Sequence, residues 1–267
     1  MTPKEFLQEI CQEQNIKFET LSGDYIVCMT KGETMRYMYG SHLDANPAAA
    51  DRIACDKCAC YAVLRKNGIP AVPHMLLQHP VRRMGFIGAE GTWIQALEYF
   101  KNANQKVVVK PNHGTNGHNV YLCDTVQMLE TAVQEIFQTE ATAAISPFFN
   151  IKTEYRVFYV YGECPLVYAK QPSSDNWKHN LSQGATVVEV EDKKKLAILK
   201  ELASQAAKAI NINFATVDII EIDTNELMIM EINAGVQARQ LLEQKSHLRS
   251  AIKAIYTCAV TGMFSKQ

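Results

Sequence analysis

The chain has 267 residues, 47% hydrophobic and 21% charged, with a formal net charge of -1; it is long enough to bury a proper core and carries no electrostatic footprint for nucleic acid or an anionic membrane. No apolar run approaches the roughly 20 residues of a membrane span. Met1-Thr2-Pro3-Lys4-Glu5 lacks the apolar core of a signal peptide, so a cytoplasmic protein is expected.

Pro3 to Gln14 reads as a short helix with Phe6, Leu7, Ile10 and Cys11 on one face. Strand-like pieces at Phe18 to Leu21 and Asp24 to Met29 flank Ser22-Gly23, and the polar residues 30–49 read as a loop with a short strand. A helix is predicted from Asn46-Pro47 through Ile53, Tyr61 and Leu64 to a stop at Gly68. It carries Cys55, Cys58 and Cys60, but no second ligand pair follows at zinc-site spacing. Reduced, packed cysteines are therefore favoured over a metal site.

Ile69-Pro70-Ala71-Val72-Pro73 leaves in extended form, and a helix at Trp93 to Phe100 follows. Lys106-Val107-Val108-Val109-Lys110 reads as a buried, β-branched strand ending in a lysine. Next come a Gly-containing loop, a strand at Asn119 to Leu122, a helix at Val126 to Phe137, and a strand at Ala143 to Phe149 interrupted by Pro147. Tyr155 to Tyr161 and Pro165 to Lys170 form a predicted hairpin turning at Gly162-Glu163. A long amphipathic helix spans Lys193 to Ile210. Strands at Thr216 to Ile222 and Glu226 to Ile232 flank Asp223-Thr224-Asn225, and a last helix covers 246–260. Mixing without strict βαβ alternation predicts an α+β fold rather than a doubly wound parallel sheet.

The sharpest chemical signal is Asp218 with Glu231-Ile232-Asn233. Side chains alternate along a strand, so Glu231 and Asn233 point the same way, and the predicted hairpin brings Asp218 alongside. Two carboxylates and an amide suit a hard cation that also holds phosphate oxygens. A merely polar hairpin face is the alternative, but apolar Leu227-Met228-Ile229-Met230 argues for a buried strand whose carboxylate needs a partner. Lys110 leads into Pro111-Asn112-His113-Gly114-Thr115-Asn116-Gly117, where a lysine and small residues suit phosphate, although a common turn explains them equally. Arg156, in Glu154-Tyr155-Arg156-Val157-Phe158, needs an anion, for which a structural carboxylate is slightly ahead of a substrate phosphate. Lys178 and Asn180 sit in Trp177 to Gly184, a ligand-contacting loop or a surface turn.

These pieces in this order resemble the ATP-grasp superfamily, in its ribosomal-protein-S6-modification-like and cyanophycin-synthetase-like branches, from about Asp51 to Ile255. Asp56-Lys57, Leu64, Gly68-Ile69-Pro70 and Pro73 are similar to the family's opening motif, which implies that Lys57 contacts the nucleotide. The resemblance implies that Lys110, Gly114, Thr115, Asn116 and Gly117 meet the phosphates, and that Pro147, Phe148 and Phe149 hold the adenine. Relatives often carry Gln-Glu-aromatic-Ile at that strand; here the glutamate has no counterpart, which leaves the choice between ATP and GTP open. Glu154 would touch the ribose and Arg156 the transferring phosphate. Lys178 and Asn180 would fill the Arg-x-Asn loop, and Asp218, Glu231 and Asn233 would bind Mg²⁺ or Mn²⁺.

The resemblance implies two α+β subdomains holding ATP between them. A short N-terminal region would cover residues 1–50 and the ATP-grasp domain 51–267, divided into a mobile lid at about 75–147 and a catalytic part at about 148–267. It also implies an ADP-forming ligase that joins small-molecule or peptide carboxylates to amines through an acyl phosphate, without nucleic acid or membrane partners and compatible with a homodimer. A nucleotide-binding module without chemistry and a small-molecule kinase are the competing expectations. Arg239, in Ala234 to Arg239, is equally suited to a substrate carboxylate and to the following helix.

Overall fold

The computed structural model describes residues 2–23, 25–114, 117–172 and 180–265. In chain order, α1 (Pro3–Glu13) leads into β1 (Lys17–Leu21), β2 (Ile26–Lys31), β3 (Thr34–Tyr39) and β4 (His42–Leu43). Then come α2 (Ala48–Cys55), α3 (Lys57–Lys66), β5 (Met75–Gln78), α4 (Trp93–Asn102), β6 (Val107–Pro111), β7 (Tyr121–Cys123), α5 (Val126–Thr139) and β8 (Thr142–Pro147). The remainder is β9 (Ile151–Val160), β10 (Glu163–Gln171), β11 (Thr186–Glu189), α6 (Lys193–Ile210), β12 (Phe214–Ile222), β13 (Leu227–Asn233), α7 (Arg239–Gln244) and α8 (Arg249–Ser265).

Three antiparallel sheets result, with strand orders β1-β2-β3-β4, β5-β8-β6-β7 and β11-β10-β9-β12-β13. Residues 30–49, expected as a loop with a short strand, carry two strands, the third and fourth of the first sheet. Its outer side exposes Met35, Tyr37 and Tyr39 while Met38 is buried, so apolar residues lie on both faces and no alternation marks the strand. The single helix predicted up to Gly68 is two. Asp56 breaks it by adopting extended backbone, and its carboxylate accepts the Ala59 N–H at 2.8 Å as the cap of α3. The short β5, β11 and α7 were not foreseen. The last helix begins at Arg249, after a 3-10 turn at Ser246–Leu248.

The five-stranded sheet positions the chemistry. One face packs Tyr155, Val157, Val217 and Ile219 against α6 with α2 and α3. Along β12 the other face reads Phe214, Thr216, Asp218, Ile220 and Ile222. Phe214 joins a core with α1, α8 and the N-terminal sheet, and Ile220 and Ile222 join a small cluster with Val72, Phe149 and Met230. The polar band of Thr216 and Asp218 lies between these apolar ends. The second sheet turns Val107 and Val109 into its own core with α4 and α5, which leaves Val108 and Lys110 on the opposite side.

The chain crosses between these sheets twice. On the first crossing the Val72 N–H donates to Ile229 O, and the Ile229 N–H donates to Pro70 O, both at 2.9 Å, fastening the crossing to β13. The second crossing runs from Pro147 to Ile151.

Candidate active site

A cleft of about 910 Å³, counted out to its open mouth, lies between the β5-β8-β6-β7 sheet and the five-stranded sheet. Val72, Val108, Phe148, Phe149, Ile220 and Met230 make an apolar slot on one side, and Lys57, Lys110, Glu154 and Glu231 supply charge on the other. Pro147, Gly114, Gly117 and Asn180 also line it. An apolar slot with two lysines at its charged end suits a flat aromatic group attached to an anion. Lys106 lies 4.3 Å from the centroid of Phe148, which ties the slot's wall to the start of β6.

Lys110 and Lys57 are both buried. Burial first, and then the charge of Lys57, push the Lys110 ammonium down to about 8. Lys57 donates to Gly114 O at 2.7 Å and lies 3.8 Å from Glu231 Oε2, so it connects the glycine loop to β13. Gly117 has φ +69°, and a Cβ there would come 2.7 Å from Asn180 Oδ1. Only glycine lets this loop lie so close to Asn180. Thr115, Asn116 and Lys178 lie outside the described residues.

Asp218, Glu231 and Asn233 come together as the alternation argument required. Asp218 pairs with Glu231 across the ladder, and the register slips between Asp218 and Ile219. This bulge sets Met230 and Glu231 side by side at the cleft while Ile229 and Ile232 both stay in the core. The Asn233 amide lies 3.3 Å from Asp218 Oδ2 and 3.4 Å from Glu231 Oε1.

The three are not equivalent, however. Arg156 grips both Asp218 oxygens at 2.7 and 2.6 Å, and Lys170 approaches Oδ1 at 3.2 Å. Burial pushes the Asp218 carboxyl up, but Arg156 and then Lys170 outweigh it and hold the group well below the usual carboxylate range. Asp218 is therefore fully engaged by protein cations. Glu231 lies 3.8 Å from Lys57, also feels the charge of Lys110, and is partly exposed. Glu231 with Asn233, whose amide presents oxygen when turned over, fits a hard cation; Asp218 backs them as a fixed negative charge.

Arg156 thus satisfies the structural reading of its charge while facing a second cavity. Glu154, expected at a ribose, is bonded to Lys170, and burial raises its carboxyl despite that partner. Sequence reasoning missed Lys170. Its signal was the one used for Lys110, a lysine at the end of an apolar strand.

The second cavity, about 1670 Å³, shares Lys57, Gly114, Asn180 and Glu231 with the cleft. Its lining adds Arg156, Lys170, Asn233 and Gly235. Arg239 also lines it and bonds Glu243 one helical turn on, at 2.9 Å. None of the eight cysteines is in a disulfide, and burial pushes the Cys60 thiol up to about 12.

A family model described as the RimK-like ATP-grasp domain matches residues 54–257. A curated "Probable alpha-L-glutamate ligase" from Psychromonas ingrahamii is 26% identical over 131 residues, covering 48% of this chain and 42% of that protein. The matched segment is less than half the length of that relative. The D-alanine–D-alanine ligase of Bacillus anthracis complexed with ATP superposes with a TM-score of 0.61 at 16% identity, over 82% of this chain and 68% of that one. The corresponding ligase of Coxiella burnetii gives 0.57 at 16% identity, over 82% and 61%. At such identities the likeness concerns the fold alone.

Proposed function

The chain belongs to the RimK-like ATP-grasp family and has its α+β fold, and from that premise we propose that it ligates a carboxylate to an amine with ATP. The adenine occupies the apolar slot, and the phosphates point at Lys57, Lys110 and the loop from Gly114 to Gly117, with Thr115, Asn116 and Lys178 as further contacts. Glu231 and Asn233 would hold Mg²⁺, or Mn²⁺ in its place, and the ion would neutralise charge on the phosphate oxygens. The observation that carries this reading is the joining of the two cavities at Lys57, Gly114, Asn180 and Glu231. A nucleotide's terminal phosphate at that junction would lie beside a second substrate.

A substrate carboxylate oxygen attacks the γ-phosphorus, the bond to the bridging oxygen breaks, and ADP leaves with the electron pair. Carboxylates are poor electrophiles, and the acyl phosphate so formed is a good one. The amine nitrogen attacks its carbon, the carbon–oxygen bond to phosphate breaks, and inorganic phosphate departs. Arg156, Lys178 and Asn180 are assigned to the phosphate and acyl group, where preorganised charge is worth most.

Residues of about 75–147 are the proposed lid and about 148–267 the catalytic part, with 1–50 as an N-terminal region. Cytoplasmic location is part of the same reading. Among the described residues no helix is long and apolar enough to cross a membrane.

ADP release should be screened with amino acids and short peptides as both acid and amine, with hydroxylamine added to trap acyl phosphate as hydroxamate. Acid-dependent hydroxamate supports a ligase, and Glu231→Gln is expected to slow it at least ~100-fold while remaining folded. Nucleotide binding without ADP release across the panel would instead identify a binding module, and a phosphorylated hydroxyl product would identify a kinase.

A further inference from the structure

The second cavity has a wall that the reaction above does not use. His42, from β4, and Ser41 line it beside Gly235, in the segment that follows β13. A Cβ built on Gly235 would lie 3.0 Å from His42 Nε2 and 2.6 Å from Ser41 Oγ, so the imidazole edge presses against bare backbone where any side chain would intrude. At the other end of the ring, Nδ1 lies 3.1 Å from Asp51 Oδ1 on α2. That hydrogen bond assigns the tautomer: Nδ1–H donates to the carboxylate, and Nε2 keeps its lone pair.

Asp51 dominates and raises the imidazole above its ordinary range, against burial and the charge of Arg52. The Cys55 thiol, one helical turn from Asp51, completes a group of potential ligand atoms within 4.8 Å of one another. Burial first, and then Asp51, push that thiol up and keep it protonated. Across the ring Gly235 carries no charge, and further along the lining stand Lys57, His113, Arg156, Tyr168, Lys170, Glu231 and Arg239.

An amine that enters this cavity at neutral pH arrives as an ammonium, whose nitrogen has no lone pair to give. Resting on the ligase reading, we propose that His42, oriented by Asp51, accepts the proton of the incoming amine. The ammonium passes one proton to Nε2, and the freed nitrogen attacks the acyl carbon. The carbon–nitrogen bond forms, the carbon–oxygen bond to phosphate breaks, the remaining surplus N–H proton leaves with the phosphate, and His42 returns its proton to water. His42 is then a catalytic residue and Asp51 a positioning one.

Hydroxylamine separates this step from the rest, because it is largely unprotonated at neutral pH and needs no base. The native protein, His42→Gln and Asp51→Asn should be assayed with ATP, Mg²⁺ and the same acid panel. Each is given hydroxylamine in one series and the twenty common L-amino acids as amines in the other. His42→Gln is expected to keep hydroxamate formation within about twofold and to lose about 100-fold or more in amide formation at neutral pH. The deficit should shrink as pH rises and the amine deprotonates by itself. In Asp51→Asn the acid limb of kcat/KM for the amine should move to lower pH, because the imidazole loses the partner that raises it.

Equal losses in both series would make His42 structural and overturn the proposal, as would unchanged amide formation. Absence of hydroxamate with the native protein would overturn the ligase reading and this proposal together. Loss of amide formation alone overturns neither the nucleotide site nor acyl-phosphate formation.

Discussion

Four charged side chains meet on the cleft face of the central sheet: Glu154 and Arg156 on β9, Lys170 on β10 and Asp218 on β12. The register sets Arg156 opposite Asp218 and Lys170 opposite Glu154, so the two cations and two anions alternate. Removing Lys170 strands the buried Glu154 carboxylate without its cation. Lys170→Met is therefore expected to cost about 3–5 kcal/mol in urea unfolding, far more than an exposed pair such as Arg239–Glu243 would. A loss below about 1 kcal/mol would show that solvent enters the quartet.

Lys110 gives a dependence on pH of known sign. Its folded-state value of about 8 lies below the ordinary 10.5, so between them the unfolded chain binds more protons than the folded one. Without nucleotide, stability should rise with pH across that window by up to about 3 kcal/mol, and Lys110→Met should abolish the rise. Nucleotide affinity should run the opposite way and weaken above about pH 8 as the ammonium is lost. Calorimetric titration at several pH values checks this, and a flat profile would place the phosphates elsewhere.

At the scale of elements, Gly262 in α8 sets two effects against each other. Alanine improves an exposed helix interior by about 1 kcal/mol. Here, though, a Cβ would sit 1.9 Å from the Tyr161 ring, at the turn between β9 and β10. Displacing that ring from a packed interface costs about 1–3 kcal/mol, so Gly262→Ala is expected to lower the thermal midpoint.

The same scale shows what was legible beforehand. Helix α6 and strand β12 announce themselves by long, clean patterns, and the closure of β12 on β13 follows from a short turn. The interruption at Asp56 was hidden because aspartate also occurs inside helices; only its side chain reaching back to Ala59 reveals a cap. At the site, Asp218, Glu231 and Asn233 could be grouped because strand alternation is rigid. That Asp218 spends both oxygens on Arg156 and Lys170 could not be read, because it depends on which strands lie side by side. The His42–Asp51 contact joins a two-residue strand to the next helix, and no periodicity marks either residue.

For the whole molecule, the cleft and its ligand should act as one cooperative unit. Nucleotide with Mg²⁺ at about 100 times its Kd should raise unfolding stability by about 2.7 kcal/mol. Amide exchange should slow in β6 and β8 as well as in β12 and β13, since all four border the cleft. Protection confined to one sheet would mean that the ligand grips only one wall.

Val72 on the first crossing and Pro147, Phe148, Phe149 and Ile151 on the second are themselves walls of the slot. On the proposed reading, a base wedged there would touch both tethers on which any rotation of one sheet against the other must turn. Filling the slot and stiffening the pivot would then be a single event. Spent nucleotide would depart as both tethers slacken, so the side chains proposed to recognise it would also govern when it is let go.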